Sequence, residues 1–414
     1  MKKIIAMLLA CVMVLGLAAC GGAGTEATEP QADNTPTAVT LKVWGPQEDQ
    51  VDENSWLIQM QKAFEAAHPE YVMTWENGVC PEGDAATMVT TDPSAAADVY
   101  MFANDQLGTL IQAGALAKLG GSYLEQVTTD VSATYVNTVT STDGNVYGFP
   151  VAPNTWFMYY NKELVGDADL TSLEAVLEKG IVAFEVKNSW YLPSFFFAAG
   201  GSLFGETGAD AAAGVQFGGE AGYAATNAVL DLLENPNFKV DGDGYGNAGL
   251  KDGSVAAYFS GSWDYQGLYE ALGENLGAVA APTVMVGGEA KQLKAYAGSK
   301  AVGVNPNAAN QKAAMDFAAF LASADSQLLR FQLRNITPAV TALSENADVA
   351  ASIVATAESN TMAFASVAQP TIAEINPVWG PVGTFGTNIA DGMVTRDNVV
   401  ESVDAMDAQL NGGL

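Results

Sequence analysis

Short apolar strand patterns alternate with amphipathic helical ones twice along this chain, once before residue 150 and once after it. In the first run, Leu41-Lys42-Val43-Trp44 reads as a strand, and Leu57, Met60, Phe64 and Ala67 mark one face of a helix stopped near Pro69. Tyr71 to Trp75 reads as a second strand. Asp98 to Ala103 is a buried third, followed by a helix carrying Leu107, Leu110, Ile111 and Ala115. The second run has strands at Trp156–Tyr160, Ile181–Val186 and Val255–Phe259. Its helices start near Thr171, contain Phe195–Ala199 and span 220–234. A long helical stretch is expected from Ala308 to Leu333, and a helical end from 343, broken around Trp379. Such alternation specifies α/β domains with largely parallel sheets. Ligands of such sheets bind beyond the carboxyl ends of strands, where Asn104, Asp105 and Gln106 fall. At 414 residues the chain is long enough for two or three domains of roughly 150 residues each.

The first residues, MKKIIAMLLACVMVLGLAAC, follow a different logic. Lys2 and Lys3 precede a short apolar run and small residues, as in a secretory signal. Leu17-Ala18-Ala19-Cys20 followed by Gly21 resembles a bacterial lipobox, in which the cysteine becomes the lipidated first residue. Residues 1–19 are therefore read as a signal peptide and 20–39, rich in Gly, Thr, Ala, Pro and Glu, as a lipid-anchored tether. Cys11 leaves with the signal and Cys20 carries lipid, so Cys80 stands alone as a structural thiol. Removal of residues 1–19 takes two lysines and no acid from a chain of net charge −30, leaving −32. That charge excludes nucleic-acid binding through a basic face and disfavours anionic ligands. Neutral and cationic ligands remain.

Chemistry-bearing motifs are weak. Gly200–Thr207 has Glu206 where a phosphate loop needs lysine. Gly244–Gly249 satisfies G-x-G-x-x-G without a preceding strand, and Asp241, Asp243 and Asp252 make an imperfect calcium loop. His68 is the only histidine, which excludes multi-histidine metal sites. No metal or cofactor is expected. Aromatics beside strand ends and loops stand out instead: Trp156, Trp190, Tyr191, Trp263 and Trp379. Such residues offer flat faces with polar tips. A sugar suits them, its C–H face on a ring and its hydroxyls on Asp, Glu, Asn and Gln.

Four segments resemble a known family. They are Asp143–Pro150, Met158–Leu164 with its Tyr160-Asn161-Lys162, Ala257–Trp263 ending in Gly261-Ser262-Trp263, and Ile375–Trp379. In order and spacing they are similar to the extracellular solute-binding proteins of sugar ABC importers, specifically the maltose/maltodextrin-binding branch. The resemblance covers about residues 40–412. It implies a two-lobed α/β periplasmic-binding-protein fold with three hinge crossovers and a ligand cleft between lobes. The implied lobes are 40–152 with 297–342, and 153–296 with 343–414.

The resemblance also implies a site. Trp263 and Trp379 would stack on sugar from the second lobe. Asp105 keeps the family's acid, with Phe102 in place of a tryptophan, Gln106 in place of an arginine and Asn104 between. Asn154 falls where the family often has Glu; Gln47, Glu48 and Asp49 occupy a contact loop; Trp190 or Tyr191 takes the place of a stacking tyrosine. The implied role is a monomeric, lipid-anchored, non-enzymatic protein that passes a maltodextrin-like oligosaccharide to a membrane permease. Another solute, or a secreted glycoside hydrolase built on unmarked carboxylates, stays open on the residues alone.

Overall fold

The computed structural model describes residues 35–412. The signal sequence, Cys20 and most of the tether lie outside the described residues. Two separate sheets carry the fold. In the first the strand order is Ser366–Ala368, Ala295–Val304, Val99–Ala103, Thr37–Gly45, Tyr71–Val79, and Phe149–Asn154 also pairs with Ala295–Val304. The strand Thr37–Gly45 runs parallel to both of its neighbours, whereas Ala295–Val304 is antiparallel to Val99–Ala103 and to Phe149–Asn154. The second sheet has the order Leu276–Val279, Phe157–Asn161, Ala257–Ser260, Val182–Phe184, Phe238–Val240.

Each sheet has its own apolar core. One is built around Leu41, Phe64, Tyr100 and Phe317, another around Phe184, Phe195, Phe259 and Phe385. A smaller cluster under the second sheet joins Phe157 and Tyr159 to Val354 and Ala357. The chain passes from the first core at Phe149 and Val151 to the second at Trp156, returns along Ala295–Val304, and passes again between Ala339 and Val354. The result is the expected two-lobed α/β fold. No helix of the described residues is long and apolar enough to cross a membrane.

Several elements differ from the sequence reading. The first strand starts at Thr37, so the tether ends before 39, and Val39 is already buried. The first sheet is mixed rather than largely parallel, because the returning crossover enters it antiparallel. The stretch 308–333 is two helices, Gln311–Leu321 and Ala324–Arg334. Ser323 N-caps the second through its hydroxyl to the Ser326 amide. The segment around Trp379 does not break a helix but opens one, Asn376–Ala390. Pro377 suits that first turn, where its missing N–H has no partner to lose. The acidic turn at 241 binds its own backbone: Asp241 Oδ1 accepts from the amides of Gly242 and Gly246, both at 2.8 Å. Cys80 is fully buried, and burial, with Asp84 and Glu82 nearby, pushes its thiol up to about 11.

Candidate functional site

A cavity of ≈ 260 Å³ lies between the lobes. The first lobe supplies Glu82 and Gly83 from a short turn, and Ala103 and Asp105 from the carboxyl end of Val99–Ala103. The crossing strands supply Asn154 and Lys300, and Gln369 follows the short strand Ser366–Ala368. Ser189, Trp190 and Trp379 complete it from the second lobe. Trp379 is half-buried, its ring perpendicular to that of the buried Tyr296 at 6.0 Å and 87°, and it borders the cavity. Trp190 sits 6.0 Å from Trp263, tilted by 44°. Trp263 lies one ring further out and is 40% exposed. It folds back over Gly261, where any Cβ would collide with the indole. The partition at the hinge is equally tight: the side chains of Asn104 and Gln369 occupy the space beside Gly298 that a Cβ would need.

The polar groups fall into two sets. One is a chain of ion pairs. Arg334 Nη1 donates to Asp49 Oδ1 at 2.7 Å, and Arg330 Nη2 donates to Asp49 Oδ2 at 2.7 Å and to Glu82 Oε1 at 3.3 Å. Lys300 Nζ is 3.6 Å from Glu82 Oε1 and 5.5 Å from the Trp263 ring centre. Burial opposes the charge on Glu82, but Lys300 and Arg330 outweigh it and pull its pKa down to about 2. The other set is unsatisfied. Asp105 Oδ1 and Gln369 Oε1 are shielded from solvent and accept no hydrogen bond among the described residues. Burial raises the Asp105 carboxyl to about 6. Buried polar atoms without partners are uncommon, and two that face one cavity supply hydrogen-bond acceptors to a ligand there.

The implied site residues divide accordingly. Asp105, Asn154, Trp190 and Trp379 meet at the cavity, with Trp263 beside Trp190. The others do not line the cavity. Asp49 is fully buried with both oxygens held by arginines. Gln106 is consumed by the 82–86 turn, its Oε1 accepting from the Ala86 amide and its Nε2 donating to the Gly83 carbonyl. Asn104 is buried and braces the crossing strand, its Oδ1 accepting from the Ser299 amide at 3.0 Å. Phe102 is core, as strand alternation in a sheet covered on both faces requires. Trp156 is also core, stacked on Tyr191 at 5.3 Å and edge-on to Phe184 and Phe259. Tyr191 is thereby the buried member of the 190/191 pair. Gln47 and Glu48 are exposed and do not line the cavity. Sequence reasoning missed Glu82, Lys300 and Gln369. Lys300 carried a signal, being the single charge in the apolar strand AYAGSKAVGV.

Two lobes joined by crossing strands, with a cleft of indoles and free acceptors, define a protein that captures a solute between domains. The chain belongs to the bacterial extracellular solute-binding protein family, whose sequence profile matches residues 59–357. It is 26% identical to a galactooligosaccharide-binding protein of Bacillus subtilis (strain 168), over 97% of this chain and 96% of the relative. It is 27% identical to a maltooligosaccharide ABC transporter solute-binding lipoprotein of Streptococcus pneumoniae (strain ATCC BAA-255 / R6), over 88% of this chain and 86% of the relative. A structure solved with acarbose shares 45% identity and a TM-score of 0.87, covering 91% of this chain and 99% of that one. The maltodextrin-binding protein MalE1 of L. casei BL23 has the same fold, at 24% identity and a TM-score of 0.81, covering 90% of this chain and 99% of that one.

Proposed function

We propose that this chain captures an oligosaccharide of the maltodextrin kind in the inter-lobe cleft and, anchored through a lipid on Cys20, delivers it to an ABC permease for import. The observation that carries the reading is the cleft itself: indoles at Trp190 and Trp379 beside the unsatisfied acceptors Asp105 Oδ1 and Gln369 Oε1. Rings of that kind receive the C–H face of a sugar, and the acceptors take its hydroxyl protons. The relatives' names and the acarbose-bound neighbour favour an oligosaccharide over other neutral solutes. Calorimetry across α-glucans, β-glucans and galactosides tests it. Heat of binding is expected with maltotetraose, and silence across the whole panel defeats the reading. Maltotetraose is also expected to be recovered intact after incubation, whereas a hydrolase would yield shorter sugars.

Trp379→Ala is expected to weaken oligosaccharide binding by about 1–3 kcal/mol, the range for truncating an aromatic that stacks on a flat ligand. Melting should change little, since Trp379 only borders the core. Intact binding with a large loss of stability would assign the indole to packing alone. Cys20→Ser is expected to move the protein from the membrane fraction to the soluble one. Retention in the membrane would refute the lipid anchor.

A further inference from the structure

Behind the crossing strands lies a second, larger cavity of ≈ 520 Å³. Pro153 lines it, while the next residue, Asn154, lines the front cleft. Successive strand residues face opposite ways, so one layer of β-structure separates the two spaces. The neighbouring strand repeats the arrangement. Lys300 faces the cleft, and Ser299 is buried against Thr138, hydroxyl to hydroxyl at 2.5 Å. The cavity walls come from both lobes. Ala339 belongs to the first core, whereas the helix Ile353–Phe364 sends Val354 and Ala357 into the cluster under the second sheet.

That helix also carries Glu358, which lines the cavity and is 1% exposed. Among the described residues neither of its carboxylate oxygens accepts a hydrogen bond of good geometry; the Thr337 and Ser262 hydroxyls are the donors nearest to it. Among the described residues no lysine or arginine lines the cavity. Burial raises the Glu358 carboxyl to about 7, against the opposing pull of the Thr337 and Ser262 hydroxyls and of Lys300. A carboxylate kept from solvent without a partner is costly, and protonation or a counter-cation relieves it. Around it stand apolar Pro338, Val349 and Met362 and the hydroxyls of Thr356 and Ser359.

We propose that this rear cavity is a second ligand site, for a small organic cation: an ammonium or guanidinium group on a short apolar stem, its charge held by Glu358. The stem lies along Val349 and Met362, and the charged head pairs with the Glu358 carboxylate. Only the ionised carboxylate holds the cation, so affinity follows its titration. The groups that face Glu358 across the packed elements are Lys300 on the crossing strand, Tyr135 and Tyr159.

The test uses n-butylammonium chloride as probe and n-butanol as its neutral counterpart, with calorimetry or saturation-transfer NMR on the sugar-free protein. Butylammonium is expected to bind in the millimolar range or tighter, with affinity rising about tenfold per pH unit below pH 7 and levelling off by pH 8. Glu358→Gln should cost at least tenfold and flatten the pH profile. Ser359→Trp, at the exposed rim, should block entry with Glu358 intact. Trp379→Ala should leave cation binding unchanged while weakening the sugar, which separates this site from the cleft. Equal binding to the Glu358→Gln variant, equal binding of n-butanol, loss on Trp379→Ala, or no binding to the parent protein would each overturn the proposal.

Discussion

Replacing Arg330 with alanine is expected to destabilise the protein by about 3–5 kcal/mol, the range for removing one partner of a buried ion pair. Arg330 is 2% exposed and is the middle of the chain that joins Asp49 to Glu82. Its guanidinium also lies 4.9 Å from the ring centre of the buried Trp56, so truncation opens a void beside an indole. Asp49 retains Arg334 at 2.7 Å and Glu82 retains Lys300 at 3.6 Å, which places the expected loss nearer the lower figure. Denaturant unfolding reads it directly. Arg334→Ala is the control. With a side chain 18% exposed, and Arg330 still on Asp49, it should cost only about 1 kcal/mol. Comparable losses in the two variants would mean that the charges are solvated more than their burial indicates. Arg330→Ala should also weaken sugar binding, because Glu82 borders the cleft and Lys300 would then be its only ion-pair partner among the described residues.

Which parts of this were legible beforehand follows from range. Strands such as Tyr71–Val79 and Ala257–Ser260, and helices such as Trp56–Ala67, announce themselves by local periodicity, and the structure has them within a few residues. The end of Val99–Ala103 was legible for the same reason, so Asp105 could be placed at the strand end that the cavity borders. The pairing of Ala295–Val304 is not local. Its partner strand Phe149–Asn154 is more than 140 residues away, and nothing in either pattern announces an antiparallel crossing. The burial of Asp49 was hidden for the same reason. Its partners, Arg330 and Arg334, are 281 and 285 residues on, and an acid in an exposed-looking loop reads as solvated until they are in place. The Trp379 segment misled in the other direction. Two prolines and two glycines look like a loop, yet the first turn of a helix tolerates Pro377 without loss of a hydrogen bond. Trp156 and Trp190 were indistinguishable by type and context. Stacking on Tyr191 buries the first and leaves the second at the cleft.

Glu358→Gln is expected to stabilise the protein at alkaline pH, by up to roughly 3 kcal/mol near pH 8. The carboxyl has an ordinary pKa of 4.5 in the unfolded chain and about 7 in the folded one. Between those values the folded state holds a proton that the unfolded state has released. Stability from protonated Glu358 is therefore complete below pH 4.5, declines from 4.5 to 7 and is gone above. Glutamine stays neutral throughout, so the advantage of the variant should be absent at pH 4.5 and widen through pH 6 to pH 8. Asp105, raised from 3.8 to about 6, produces a parallel loss in the parent and the variant and cancels in the difference. Glu82 acts in the opposite sense, its contribution fading as pH falls from 4.5 toward 2, below the range compared. Denaturant unfolding of both proteins at pH 4.5, 6 and 8 measures the gap. A gap that does not widen with pH would mean that the Glu358 oxygens are partnered in solution. Butylammonium discriminates further: a cation bound only to the folded parent stabilises it by mass action, so at pH 8 it should narrow the gap from the parent's side while leaving the variant where it was.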